Sequence, residues 1–208
     1  MLRSLQSDKN SLILASASPR RLDLLDQLNI RPDQVVHPGI DETPETGEKP
    51  ADYVRRMAIE KAARVETMLK PSVSSNYILS GDTVVAIGRR ILPEADSAEA
   101  ARGCLEALSG RRHQVYGGIA LVLPDSSKRV RVVKSHVKFC QISPTDIERY
   151  LATGEWIGKA GGYAIQGRAS GFIKHISGSY SNIVGLSIYD VNLMLCGSGW
   201  FGTAKNGT

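Results

Sequence analysis

Cysteine is scarce in this chain. Its three thiols, Cys104, Cys140 and Cys196, lie far apart, form no C-x-x-C pair and are odd in number. That pattern argues against a disulfide framework and leads us to expect buried, reduced thiols in a cytoplasmic protein. Long apolar runs are also missing. None reaches the length of a membrane span, and the opening MLRSLQSDKN has no apolar core of the kind a signal peptide needs. The net charge of +5 is scattered, with no block of five or six basic residues and no aromatic platform beside basic side chains. A nucleic-acid or membrane partner is therefore not expected. The four histidines, His37, His113, His136 and His175, show no H-x-x-x-H spacing, so none is assigned to a zinc site. There is no G-x-S-x-G elbow, no Walker loop and no G-x-G-x-x-G after a strand, which sets aside serine hydrolases, P-loop proteins and dinucleotide folds. Asn206-Gly207-Thr208 matches a glycosylation sequon, a chance match in a cytoplasmic chain.

What is present is an ordinary globular composition, 42% hydrophobic and 23% charged over 208 residues, enough for one large domain. The apolar pattern predicts a strand at 12–15. A helix follows, with Ser18 as N-cap, Pro19 in its first turn, and Leu22, Leu24, Leu25 and Leu28 on its apolar face. A second strand is expected at 35–37, then a polar turn-rich stretch at 41–50. A long helix at 51–69 turns Tyr53, Val54, Met57 and Val65 inward and ends at Pro71. Strands are expected at 77–79 and 83–87, a hairpin turn at Gly88-Arg89, and a helix at 97–108 capped by Ser97 with Glu99 and Glu106 on its wet side. Two long strands at 113–123 and 129–139, a short helix at 143–153 stopped by Gly154, and a glycine-rich loop at 158–171 follow. A strand at 172–176, a final helix starting at 180–182 and a frayed tail from 197 complete a single α/β domain with a mixed sheet.

The chemistry starts at ASASPRRLDLL. A helix N-terminus offers unpaired N–H groups and partial positive charge to a phosphate; Ser16 and Ser18 add hydroxyls, and Arg20 and Arg21 add planar forks. Taken alone, the same residues would equally suit a capped surface helix with two solvated arginines. Asp82 interrupts the apolar run LSGDTVVAI, where a carboxylate is costly unless it is paired, metal-bound or open to a cleft. Glu42 and Lys61 are by themselves a loop acid and a helix lysine, and the glycines around Lys159 and Gln166 bring backbone close to a ligand or to packing. Together Ser16, Ser18, Arg20, Arg21 and Lys61 suggest a polyphosphate cradle facing Glu42 and Asp82, which could hold Mg²⁺ or Mn²⁺. The matching chemistry is hydrolytic phosphoryl or nucleotidyl transfer.

In register, ILASASPRRLDLL, SGDTVVAIGRRIL, LSGRRHQVY, GKAGGYAIQG and GSYSNIVGL resemble the Maf family of nucleoside triphosphate pyrophosphatases over most of the chain. The resemblance implies an elongated mixed β-sheet flanked by helices, with two lobes around a deep cleft as in inosine triphosphate pyrophosphatases. The implied reaction takes a triphosphate and water to a monophosphate and pyrophosphate with a divalent cation. By the same resemblance Asp82 is the catalytic acid, as base or metal ligand, Glu42 its metal partner, and Lys61 a phosphate contact. Arg20, Thr83 and Gln166 fall at positions associated with base selection, and arginine at position 20 marks the branch acting on dTTP and UTP. Three residues depart from the family pattern: Glu94 where a lysine is usual, Gly117 for threonine and Ser187 for proline. If Glu94 faces the cleft, triphosphate binding should suffer by roughly 3 kcal/mol per phosphate charge at about 5 Å and an effective dielectric near 20; if it swings to solvent, little changes. A nucleotide-binding regulator of cell division with weak turnover is the alternative function. The sequence leaves monomer and homodimer both open.

Overall fold

A computed structural model describes residues 11–69 and 76–200. The expectations for the N-terminal segment, Pro71 and the sequon lie outside the described residues. The chain order is β1 (Leu12–Ala15), α1 (Pro19–Asp26), β2 (Gln34–Val36), α2 (Pro50–Met68), β3 (Tyr77–Ile87), β4 (Arg90–Leu92), α3 (Ala98–Leu108), β5 (Arg112–Val122), β6 (Lys128–Phe139), α4 (Pro144–Leu151), β7 (Ile173–Ser177), α5 (Tyr180–Val184) and α6 (Ile188–Cys196). A 3₁₀ turn, Arg168–Phe172, precedes β7. The mixed seven-stranded sheet runs β2-β1-β3-β5-β6-β7, with β4 also on β3.

β3 organises the sheet. The two strands expected around Gly81-Asp82 are one eleven-residue strand, because β5 pairs with it without a break from Ile78 to Ala86. The other edge of β3 is shared. Parallel β1 covers Tyr77–Ser80 and antiparallel β4 covers Val85–Ile87, which leaves Gly81–Val84 without a strand neighbour on that side. Buried side chains gather on either side of this gap. One cluster joins Val85, Leu92, Leu105, Phe139 and Tyr150; another joins Leu12, Leu25, Leu79, Leu121 and Met194. Each such side chain contributes about 1.5–3 kcal/mol on burial. This is the two-lobed arrangement the resemblance implies.

α2 lies across the sheet. Val54, Ala58, Lys61, Ala62 and Val65 share its buried face, as their three- and four-residue spacing requires. It approaches so closely that a Cβ on Gly118 would overlap the Val54 carbonyl. Gly118 pairs directly with Asp82, so this absent side chain sets the distance from α2 to the centre of β3.

Several expectations need correction. Leu22 is exposed, because the eight-residue α1 buries only the face holding Arg21, Leu24 and Leu25. Of the thiols only Cys104 is buried; Cys196 sits on the wet side of α6. The final helix is two helices, broken at Gly185, whose φ of 151° no helix accommodates. Residues 197–200 are packed: Trp200 joins the Leu12–Met194 cluster, and the Tyr77 hydroxyl donates to the Ser198 carbonyl at 2.8 Å. Gly117 is accounted for by Asn182, whose Oδ1 fills the space a Cβ would need. Ser187 donates to Asp190 at 2.7 Å within the first turn of α6.

Gly118→Ala should therefore destabilise the protein by about 2–3 kcal/mol, as backbone overpacking does. Urea denaturation checks this: the midpoint should fall sharply, whereas Gly103→Ala, in open space in the middle of α3, should raise stability slightly, by about 0.5–1 kcal/mol.

Candidate active site

The cleft opens where the sheet is incomplete. β1 ends at Ala15, paired with Ser80, and the chain turns through Ser16–Ser18 into α1 beside the uncovered edge of β3. Successive β3 residues face opposite sides of the sheet, so Asp82 looks toward α2 and Thr83 toward α1. The gap lets both line one cavity of about 520 Å³. Ser16, Ser18, Arg20, Arg21, Glu42, Lys61, Asp82, Thr83 and Gln166, the nine residues given catalytic, phosphate, metal or base-selecting roles above, line it.

On the α2 side the Lys61 ammonium is buried and donates to Glu42 Oε2 at 2.6 Å and to Asp82 Oδ1 at 2.8 Å. Lys61 therefore ties two carboxylates together instead of presenting a free ammonium to phosphate. The second Asp82 oxygen, Oδ2, is buried without a hydrogen-bond partner. Such an acceptor costs stability unless something that enters the cleft satisfies it. The Glu42 carboxylate is about half exposed, so one buried and one accessible carboxylate share a single cation.

On the α1 side Arg21 is buried. Its Nε donates to the Gly185 carbonyl at 3.0 Å, Nη1 to Ser16 Oγ at 3.0 Å and Nη2 to Thr83 Oγ1 at 3.4 Å. Burial lowers its pKa, against the pull of Asp82, Glu42 and Glu94, but a guanidinium stays charged. Thr83 donates to the same Gly185 carbonyl at 3.1 Å. The break between α5 and α6 thus exposes the carbonyl that orients Arg21 and Thr83. Ser18 holds the N-cap position but makes no side-chain cap bond; Ser16 Oγ instead accepts from the Ser18 amide at 3.1 Å. Arg20 is half-buried, its pKa lowered first by burial and then by Arg21.

The far wall comes from the glycine-rich segment. Gly161, at φ 66°, packs against Val85, where no side chain would fit, and Ala95 N, Gly158 N and Gly161 N bond across to Lys159, Ala95 and Pro93 carbonyls. These bonds fix Glu94 opposite Ala160, with its carboxylate lining the cavity beside Lys159. Glu94 thus lines the cleft beside Gly158 and Lys159 while remaining exposed to solvent. Burial, followed by Arg20, lowers the Lys159 pKa, and Glu94 partly offsets this.

The sequence analysis missed His37, Pro38 and Gly39, which also line the cavity. A signal was available, because a strand parallel to β1 must end at the same edge and deliver its following loop there. Tyr163 was missed as well. Its hydroxyl bonds His113 Nε2 at 2.8 Å, deep under the cleft wall, and nothing in its sequence spacing marks it.

Comparison with known proteins identifies the family. The family model described as Maf-like protein matches residues 11–197. The chain belongs to the Maf family. Relatives named dTTP/UTP pyrophosphatase include those of Paramagnetospirillum magneticum (51% identical, covering 91% of this chain and 97% of that protein), Rhodospirillum rubrum (50%, 91% and 88%) and Mesorhizobium japonicum (47%, 91% and 92%). Among solved structures, the Ham1 protein of Staphylococcus aureus aligns with a TM-score of 0.40 at 21% identity, covering 62% of this chain and 71% of that one, which is too faint to carry an argument.

His113 predicts a pH dependence. Burial depresses its pKa from 6.5 to about 4. Between those values the unfolded chain binds the extra proton, so stability is complete above pH 6.5 and falls as the pH drops toward 4, by about 3 kcal/mol. Denaturant midpoints measured from pH 7 to pH 4 should show this fall, and His113→Gln should flatten it.

Proposed function

We propose that this protein hydrolyses nucleoside triphosphates, dTTP and UTP foremost, to the monophosphate and pyrophosphate in the cytoplasm. The observation that carries the reading is the buried, unpartnered oxygen of Asp82, a residue on the wall of the same cavity that the Ser16–Arg21 turn lines. The triphosphate lies along that turn, held by the side chains of Ser16, Ser18, Arg20 and Lys159. Arg21 keeps Ser16 and Thr83 in place and has N–H groups left for a phosphate oxygen.

Asp82 Oδ2 accepts a hydrogen bond from the attacking water and takes its proton as the oxygen bonds to the α-phosphorus. The bond from that phosphorus to the bridging oxygen breaks, and pyrophosphate leaves with the electron pair. Lys61 keeps both carboxylates oriented. A hard divalent cation fits these donors, since such ions take one or two carboxylates and complete their shell with substrate phosphates. Glu42 and Asp82 would hold Mg²⁺ or Mn²⁺, which when bound supplies positive charge against the phosphates. Arg20, Thr83 and Gln166 select the pyrimidine.

One observation favours a second reading, nucleotide binding with weak turnover: Glu94 lines the cleft. At about 5 Å and an effective dielectric near 20, its charge opposes each phosphate charge by about 3 kcal/mol before screening. Pyrophosphate release from a panel of triphosphates with Mg²⁺ separates the two. The pyrophosphatase reading expects release by the natural chain, loss of at least about 10³-fold in Asp82→Asn, and a lower KM in Glu94→Lys. Silence in the natural chain with turnover in Glu94→Lys would establish the second reading instead.

A further inference from the structure

Glu42 is the least secured member of the site. It lies in the segment from His37 to Lys49, which has no helix or strand and in which most residues are exposed. A carboxylate on such a segment is useful only if the backbone beneath it is already ordered, since otherwise ordering it opposes every binding event. Two side chains of α2 hold this backbone. The Tyr53 hydroxyl donates to the Glu42 carbonyl at 2.6 Å. Three residues on, Arg56 makes a forked pair with Glu48, Nε to Oε1 at 2.8 Å and Nη2 to Oε2 at 2.7 Å, and Nη2 also donates to the Thr43 carbonyl at 3.2 Å. Glu45 and Glu60 stand farther off, at 3.7 and 3.5 Å. The guanidinium carbon lies 5.6 Å from the centre of the Tyr53 ring, so the two anchors brace each other. The Glu48 side chain is only 8% exposed, and its Oε2 also accepts the Glu45 amide at 3.0 Å, closing the loop on itself.

An exposed single-point ion pair would do little here. A two-pronged pair has one geometry, and this one joins the end of the loop to the helix that carries Lys61. Arg56 and Lys61 sit on the same rigid element. Fixing the loop to α2 at Arg56 therefore also fixes Glu42 relative to the ammonium it meets at 2.6 Å.

We propose that Arg56 is a positioning residue for Glu42: forked on Glu48 and braced on Thr43 and Tyr53, it keeps the 42–48 segment ordered so that Glu42 stands beside Asp82 before substrate and cation arrive. This rests on the reading of the cleft as a triphosphate site with Glu42 as a cation partner.

The test compares the natural chain with Arg56→Met, Arg56→Lys and Glu48→Gln. Three readouts are used: hydrogen exchange of the 42–48 amides, Mn²⁺ binding to the nucleotide-free protein by electron paramagnetic resonance, and turnover of dTTP against cation concentration. In Arg56→Met, exchange should speed up at 42–48 and not in β3, Mn²⁺ affinity should fall about tenfold, and kcat should fall at least tenfold. KM for dTTP at saturating cation should change by less than threefold. Arg56→Lys keeps the charge without the fork and should recover only part of these losses. Glu48→Gln removes one prong but leaves the Thr43 bond, so it should shift the same readouts in the same direction by less, and it carries the test alone if Arg56→Met does not fold. Unchanged exchange and Mn²⁺ affinity in a folded variant overturn the proposal. So does a loss of activity that follows only the fraction of folded protein. Absence of turnover in the natural chain would instead strike the pyrophosphatase reading, and exchange and Mn²⁺ binding would still decide the role of Arg56.

Discussion

A buried ammonium must have partners, and the site is arranged around that requirement at Lys61. Taking its charge out of water is costly unless carboxylates meet it closely, and it meets two, at 2.6 and 2.8 Å. Each contact constrains a different part of the fold. To reach Asp82, α2 must lie almost on the sheet, which Gly118 permits by having no side chain beneath Val54. To reach Glu42, an irregular loop must be held to α2, which Tyr53 and Arg56 do. Loosening the Asp82 contact would leave a buried carboxylate unpaired, and loosening the Glu42 contact would leave the ammonium one partner instead of two, so the helix, sheet and loop are mechanically coupled at one nitrogen atom.

The incomplete edge of β3 gives that arrangement access to substrate. In a fully paired sheet Asp82 and Thr83 would point into separate compartments. With β1 stopping opposite Ser80 and β4 starting opposite Val85, the space between them joins both faces. The carboxylate chemistry on the α2 face and the arginine–serine cradle on the α1 face then share one cavity. The cleft also lies at the carboxyl end of β1, where open α/β sheets bind ligands. The broken helix at Gly185 completes the cradle by turning its carbonyl toward Arg21 and Thr83.

What could be read from the sequence followed what is local. The α2 and α3 faces, the Ser97 cap, the Gly88 turn and the cost of a carboxylate in LSGDTVVAI all depend on neighbours within a few residues. Asp82 stood out because nothing local could pair it. Long-range register was not legible. That β3 is one strand depends on β5, that Arg21 is buried while Arg20 lines the open cleft depends on Gly185, and that Lys61 serves carboxylates depends on a loop 19 residues earlier. The direction of Glu94 was undecidable for the same reason, because main-chain bonds to the glycine-rich segment, more than 60 residues away, fix it.

The direction of Glu94 changes the charge balance of the cleft. Arg20, Arg21, Lys61 and Lys159 line it, facing Glu42, Asp82 and Glu94. Lys61 is committed to two of those acids, and Glu94 draws on Arg20 and Lys159. Four cations against three carboxylates leave little net positive charge for a triphosphate, so side chains of this protein cannot by themselves neutralise the anion they enclose. Two carboxylates beside a triphosphate are a poor anion site but a good site for an anion that arrives with a hard cation. A lysine at position 94 would shift the balance by two charges and make the cleft attractive to the bare triphosphate. A glutamate there instead adds a third carboxylate to the wall and leaves the side-chain charge nearly balanced.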